Sequence, residues 1–173
     1  TGLYLPWLTL FVFTLILLAY LVKLLFHADR VREEWSHPVR ISFFPAVSIS
    51  MLLLSISFLE ISRTVSFWLW TGGALLHLVL TIRIVSTWIH HDRFRITHMN
   101  PAWFIPAVGN IVVPIAGIVH APPAISWFFF SIGLVFWLAL FVLFLYRIIF
   151  HTPLAERILP TMFILIAPPA VGF

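Results

Sequence analysis

Five apolar runs, at about residues 3–26, 41–59, 65–89, 102–119 and 125–150, with a sixth starting near Met162, leave this chain few ways to fold. Roughly 20 apolar residues in a helix cross the hydrocarbon core of a bilayer, and each complete run comes close to that length. Composition agrees. Hydrophobic residues make up 62% of the chain and charged residues 9%, and the mean hydropathy of +1.09 is out of range for an ordinary soluble domain. The predicted class is an all-α polytopic membrane protein. The sequence opens at Thr1 without an initiator methionine and stops at Phe173 inside the sixth run, 162–173, so it reads as a fragment of a longer protein. It contains no cysteine, which excludes a disulfide framework, a thiolate metal site and a thiol nucleophile.

The runs are of two kinds, and they alternate. The first, third and fifth are long, rich in Leu, Phe and Trp, and free of interior proline, Pro6 lying harmlessly in an opening turn. These are expected to face lipid. The second, fourth and sixth are shorter, and each contains Pro-Ala-Val, at 45–47, 106–108 and 169–171, with starts 61 and 63 residues apart. They also carry Pro114, Pro168 and the small or polar residues Ser48, Ser50, Gly109, Asn110, Gly117 and Gly172. A proline inside a helix removes a backbone hydrogen bond and kinks it, which a membrane tolerates where protein or water resolves the freed groups. Small residues allow close helix approach and polar ones avoid lipid, so these runs are expected to lie inside.

The +4 formal charge sits mostly in short loops, where it bears on orientation rather than on nucleic acid. Lys23, Arg30, Arg32, Arg40, Arg83, Arg93, Arg95, Arg147 and Arg157 cluster around the ends of the three plain runs, against Arg63 alone on the other side. The positive-inside rule then places loops 27–40, 90–101 and 151–160 in the cytoplasm. All three Pro-Ala-Val helices run outward and parallel, as a rotational repeat requires. Hairpins of one plain outer and one kinked inner helix, repeated in parallel, can surround a pore walled by the kinked members.

The sign of the transported species follows less directly. A proline frees the carbonyl four residues earlier, Ile41 for Pro45, and carbonyls suit cations, whereas the N-terminal ends of half-helices beyond a kink suit anions. No acidic residue lies deep in a proline-bearing run, Glu60 sitting at the outer end of the second, and cation pathways usually place carboxylates well within the bilayer. The basic cytoplasmic rim adds a weak attraction for anions.

His37-Pro38-Val39-Arg40 followed by Phe43-Phe44-Pro45, the long segment from Met99-Asn100-Pro101 through Ala102-Trp103-Phe104-Ile105-Pro106-Ala107-Val108-Gly109-Asn110, and Ala167-Pro168-Pro169-Ala170 together resemble the tellurite-resistance/dicarboxylate transporter family, which includes plant slow-type anion channels. The resemblance runs along essentially the whole sequence. It implies a ten-helix subunit, usually a homotrimer, in which five hairpins surround a separate pore lined by the kinked odd-numbered helices, with this chain covering about helices two to seven. It also implies a gate formed by a phenylalanine on the ninth helix, a role that Phe44, Phe104 and Phe163 do not take over. Substrates across such a family run from chloride, nitrate and sulfite to malate and other dicarboxylates, by channel or by proton-coupled carrier, with no cofactor.

The expected pore-lining residues stand beside the kinks: Phe44, Pro45, Ser48, Pro106, Asn110, Pro114, Pro168 and Pro169. Ser48 and Asn110 are the polar members, able either to hydrogen-bond a passing anion or its water, or to satisfy opened backbone groups and bridge two helices. The eight histidines raise the alternative of a membrane enzyme or haem cytochrome. Only His77 lies well inside a run, however, and haem needs histidines facing each other across packed spans. His90, His91 and His98 read as interfacial loop residues, and Arg83 as a side chain that snorkels to the cytoplasmic interface.

Overall fold

A computed structural model describes residues 4–90, 96–151 and 156–171, so His91, Arg93, Arg95 and Gly172 lie outside the described residues. The chain is all-α and polytopic. Its α-helices are α1 (Tyr4–Phe26), α2 (Ala28–Ser36), α3 (Ala46–Phe58), α4 (Arg63–His90), α5 (Ile105–His120), α6 (Pro123–Phe150) and α7 (Ala167–Val171). Short 3-10 segments precede α3 and α5, at Arg40–Phe43 and Pro101–Phe104, and a longer one, Glu156–Ile166, precedes α7. With the 3-10 turns counted, five spans among the described residues are long and apolar enough to cross a membrane: Tyr4–Phe26, Arg40–Phe58, Arg63–His90, Pro101–His120 and Pro123–Phe150. Residues Leu159–Val171 form a shorter apolar stretch at the position of the sixth run.

The five complete runs separate in space as their compositions require, whereas residues 159–171 of the sixth bury only Pro168. None of the residues of α1 is buried, and the exposed faces of α1, α4 and α6 are Leu, Ile, Val, Phe and Trp, a surface suited to lipid. α5 is the most enclosed helix, its buried stretch running unbroken from Pro106 to Val113. It packs chiefly on α6, while α3 packs chiefly on α4, and α4 also reaches α5.

Two polar contacts fix the directions. Near the N-termini of α3 and α5, His77 of α4 bonds Ser48 and the carbonyl of Pro106. Near their C-termini, Ser66 of α4 bonds Ser55, at 2.8 Å to its carbonyl, and His120, at 2.7 Å. α3 and α5 are therefore parallel to each other and antiparallel to α4.

Close approach of α5 and α6 depends on Gly133, where a Cβ would overlap Ile111 and stand 3.2 Å from the carbonyl oxygen of Ala107. Aromatic packing closes the other end of that interface. Phe104 and Phe144 meet there edge to face at 5.9 Å, while Trp88 of α4 stacks on Trp103 at 4.9 Å.

α2 is amphipathic and lies against the end of α1. Lys23 Nζ stands 2.6 Å from Glu34 Oε1, and the Tyr20 hydroxyl donates to Oε2 at 3.4 Å. The Lys23 hydrogen bond, opposed by partial desolvation, holds the Glu34 carboxyl below the ordinary carboxylate range. A lowered native value stabilises the docked α2 above the unfolded carboxylate pKa, and that contribution is lost as pH falls through the native one. Acid titration of the α1–α2 contact, followed by Trp35 fluorescence, is expected to show this loss in the native protein, and Glu34→Gln is expected to flatten it.

Candidate functional site

Each Pro-Ala-Val marks the junction at which a 3-10 segment becomes an α-helix. Ahead of the first, His37 Nδ1 accepts the backbone N–H groups of Val39 and Arg40 at 3.2 and 3.3 Å, closing the turn that leads into Arg40–Phe43. Pro45 then caps α3 with φ −66° and ψ −9°. It cannot serve the carbonyl of Ile41, which instead accepts the N–H of Phe44 at 3.3 Å. The expected free carbonyl is thus occupied, because a 3-10 turn moves its donor from i+4 to i+3.

The second junction repeats the solution. Asn100 caps it, its Oδ1 accepting the N–H of Ala102 at 2.9 Å and its Nδ2 donating to the carbonyl of His98 at 2.9 Å. Pro101 follows in the first turn, where a missing N–H costs nothing. The carbonyl of Ala102, four residues before Pro106, accepts the N–H of Ile105. The His37 and Met99-Asn100-Pro101 motifs are therefore caps for the segments that carry the prolines. Pro114 lies farther along, inside α5, and has no N–H for the carbonyl of Asn110.

At the third junction an outer helix supplies the donor. The carbonyl of Leu165, four residues before Pro169, accepts the indole N–H of Trp137 on α6 at 3.3 Å. Trp137→Phe keeps the ring and deletes the donor. It is expected to weaken this contact by about 1 kcal/mol, read as roughly fivefold faster amide hydrogen exchange around Leu165.

The predicted lining residues divide by exposure. Pro45, Ser48, Pro106, Asn110 and Pro168 are buried, Phe44 and Pro114 are half-buried, and Pro169 is exposed. Phe44 packs edge to face on Trp35 at 4.9 Å and Tyr20 at 6.4 Å, toward α1 and α2. The Ser48 hydroxyl lies 2.8 Å from the carbonyl of Pro45 and 2.9 Å from Nδ1 of His77. Asn110 Nδ2 lies 2.9 Å from the carbonyl of Pro106, 3.3 Å from Oγ1 of Thr81 and 3.5 Å from the carbonyl of Ala107. Its donors are spent on protein. The remaining buried atom, Oδ1, is an acceptor and can meet a water proton but not an anion. The structure thus brings Ser48, Asn110 and Pro106 together around α4, in the helix-bridging arrangement.

Sequence reasoning missed the α4 side of this cluster. Thr81 donates to the carbonyl of Pro106 at 3.1 Å, and Trp70 to that of Val113 at 2.9 Å. His77 engages both ring nitrogens, Nδ1 with Ser48 and Nε2 with Pro106, and so presents no free nitrogen to a haem iron. The available signal is a stripe at helical spacing: Ser66, Trp70, Gly73, Ala74, His77, Thr81 and Ile84 are the buried residues of α4. Arg83 points away, exposed on the outer face, as a snorkelling side chain would.

Residues 1–173 match the family model described as voltage-dependent anion channel, SLAC1. The chain belongs to the voltage-dependent anion channel family. Among curated relatives, it is 30% identical over 173 residues to the uncharacterized transporter MJ0576 of Methanocaldococcus jannaschii, covering 92% of this chain and 50% of the relative. It is 32% identical over 169 residues to the S-type anion channel SLAH2 of Arabidopsis thaliana, covering 96% of this chain and 32% of that protein. Similarity extends to a tellurite resistance protein TehA homolog of Haemophilus influenzae, at 27% identity over 131 residues, 73% of this chain and 39% of the relative. The chain thus spans from 32% to 50% of these relatives' lengths. Membership in this family and five membrane-length apolar helices make it an integral membrane segment.

Proposed function

We propose that the protein carrying this chain conducts small anions across a membrane, along a wall to which α3, α5 and α7 contribute. The observation that carries this reading is the match of the whole chain to the voltage-dependent anion channel family. Chemistry supports it, since α3 and α5 contain no Asp or Glu and the carbonyls of Ile41 and Ala102 are occupied, so that neither proline junction offers a carboxylate or its freed carbonyl to a cation. Phe44, Pro114 and Pro169 keep accessible surface and are the members of the predicted set that an anion can touch. Pro45, Ser48, Pro106, Asn110 and Pro168 shape the wall from within it.

In this reading the protein is a transporter and not an enzyme, needs no cofactor, and assembles as a homotrimer in the cell membrane. Loops 27–40, 90–101 and 151–160 face the cytoplasm. Flux into liposomes holding the full-length protein, with chloride, nitrate, sulfite and malate compared with and without a proton gradient, tests the proposal. Uptake of at least one anion is expected, and its dependence on the proton gradient separates carrier from channel. Absence of flux for all four sinks it.

A further inference from the structure

One side chain of the outer layer touches both complete proline junctions. His77 lies midway along α4 and is fully buried between α3 and α5. Its Nε2 stands 3.0 Å from the carbonyl oxygen of Pro106, an atom that can only accept, so Nε2 carries a proton and donates it there. Its Nδ1 stands 2.9 Å from the Ser48 hydroxyl, which lies 2.8 Å from the carbonyl of Pro45. Nδ1 is then an acceptor, and the Ser48 hydroxyl gives its one proton either to it or to the carbonyl of Pro45, so the bonded path runs from Ser48 on α3 through His77 to Pro106. It crosses from one inner helix to the other through a residue on neither.

The ring's position is built in from the opposite side as well. It rests on Gly109, one turn past Pro106, where a Cβ would overlap the imidazole. Thr81, one turn along α4 from His77, and Asn110 both donate to the same Pro106 carbonyl. A buried donor needs an acceptor and a buried acceptor needs a donor, so α3 and α5 cannot move apart at their junctions without leaving one of these groups unmatched.

We propose that His77 is a positioning residue that couples the Pro45 and Pro106 junctions, setting the separation of the two inner helices and hence the anion preference of the conduit. This rests on the anion-transport reading above. His77 itself need not meet the anion. Its effect on selectivity passes through Ser48 and Pro106.

The test uses the full-length protein in planar bilayers, reading the nitrate-to-chloride permeability ratio from reversal potentials. His77→Phe preserves ring volume and deletes both bonds. It is expected to shift the ratio about fivefold, the factor that corresponds to one hydrogen bond. His77→Gln, which keeps a donor for Pro106 and an acceptor for Ser48, is expected to restore the wild-type ratio. Gly109→Ala displaces the ring and is expected to shift the ratio in the same direction as His77→Phe, but to add nothing in a His77→Ala background, where the ring space is vacant. A ratio unchanged in both His77→Phe and Gly109→Ala, with wild-type anion current intact, overturns the inference, as does full additivity of Gly109→Ala with His77→Ala. Loss of wild-type anion current would instead remove the transport reading beneath it.

Discussion

Trp70→Ala is expected to destabilise the bundle by about 3 kcal/mol, the lower end of the range for deleting a buried aromatic, because in lipid the loss is of packing rather than of transfer from water. Trp70 is 6% exposed and belongs to the cluster of Leu52, Ala74, Val112, Val113, Ala116 and Phe129 that joins α3, α4, α5 and α6. Its indole N–H also donates to the carbonyl of Val113, the residue before Pro114. The two contributions separate experimentally. Trp70→Phe retains most of the volume and loses only the donor, so about 1 kcal/mol is expected from it. Thermal unfolding of the two variants in detergent checks the order. Equal losses would mean that the hydrogen bond, not the volume, holds this region.

Gly133→Leu is expected to cost more, upward of about 3 kcal/mol, because overpacking here meets backbone as well as side chain. A Cβ at Gly133 would overlap the Ile111 side chain and stand 3.0 Å from the Ile111 backbone nitrogen and 3.2 Å from the Ala107 carbonyl oxygen. The Ile111 side chain can rotate; the backbone of a packed helix cannot. The helices α5 and α6 must therefore separate, taking the Phe104–Phe144 contact with them. Gly133→Ala is expected to be milder and to be partly relieved by Ile111→Ala, which removes the flexible half of the clash. If Gly133→Leu unfolds at the wild-type temperature, the interface is looser than its geometry implies.

Much of this architecture was legible in residue order. Over the five complete runs, the alternation of plain and proline-bearing segments corresponds to more exposed and more enclosed helices, because burial in a bilayer sorts residues by size and polarity rather than by hydrophobicity alone. What the prolines do locally was not legible. A Pro-Ala-Val reads as a kink with a freed carbonyl, whereas the preceding residues wind into a 3-10 turn that occupies it, a choice set by the His37 and Asn100 caps several residues upstream.

The roles of His77 and Trp137 were hidden for a different reason. Each bonds a backbone group of another helix, at Pro106 and Leu165, and backbone acceptors leave no trace in sequence. The third run reads as lipid-facing, and its stripe of buried residues marks an inward face only once the helices are packed. Residue order could not say which carbonyl that face would meet.

The reversal potential of the full-length protein in a planar bilayer, under a tenfold gradient of potassium chloride, tests the central claim most directly. Anion conduction predicts a reversal potential approaching the chloride equilibrium value of about 59 mV, moving toward zero when the gradient is removed. A stable current that reverses at the cation equilibrium potential, or no current above that of protein-free bilayers, would contradict it.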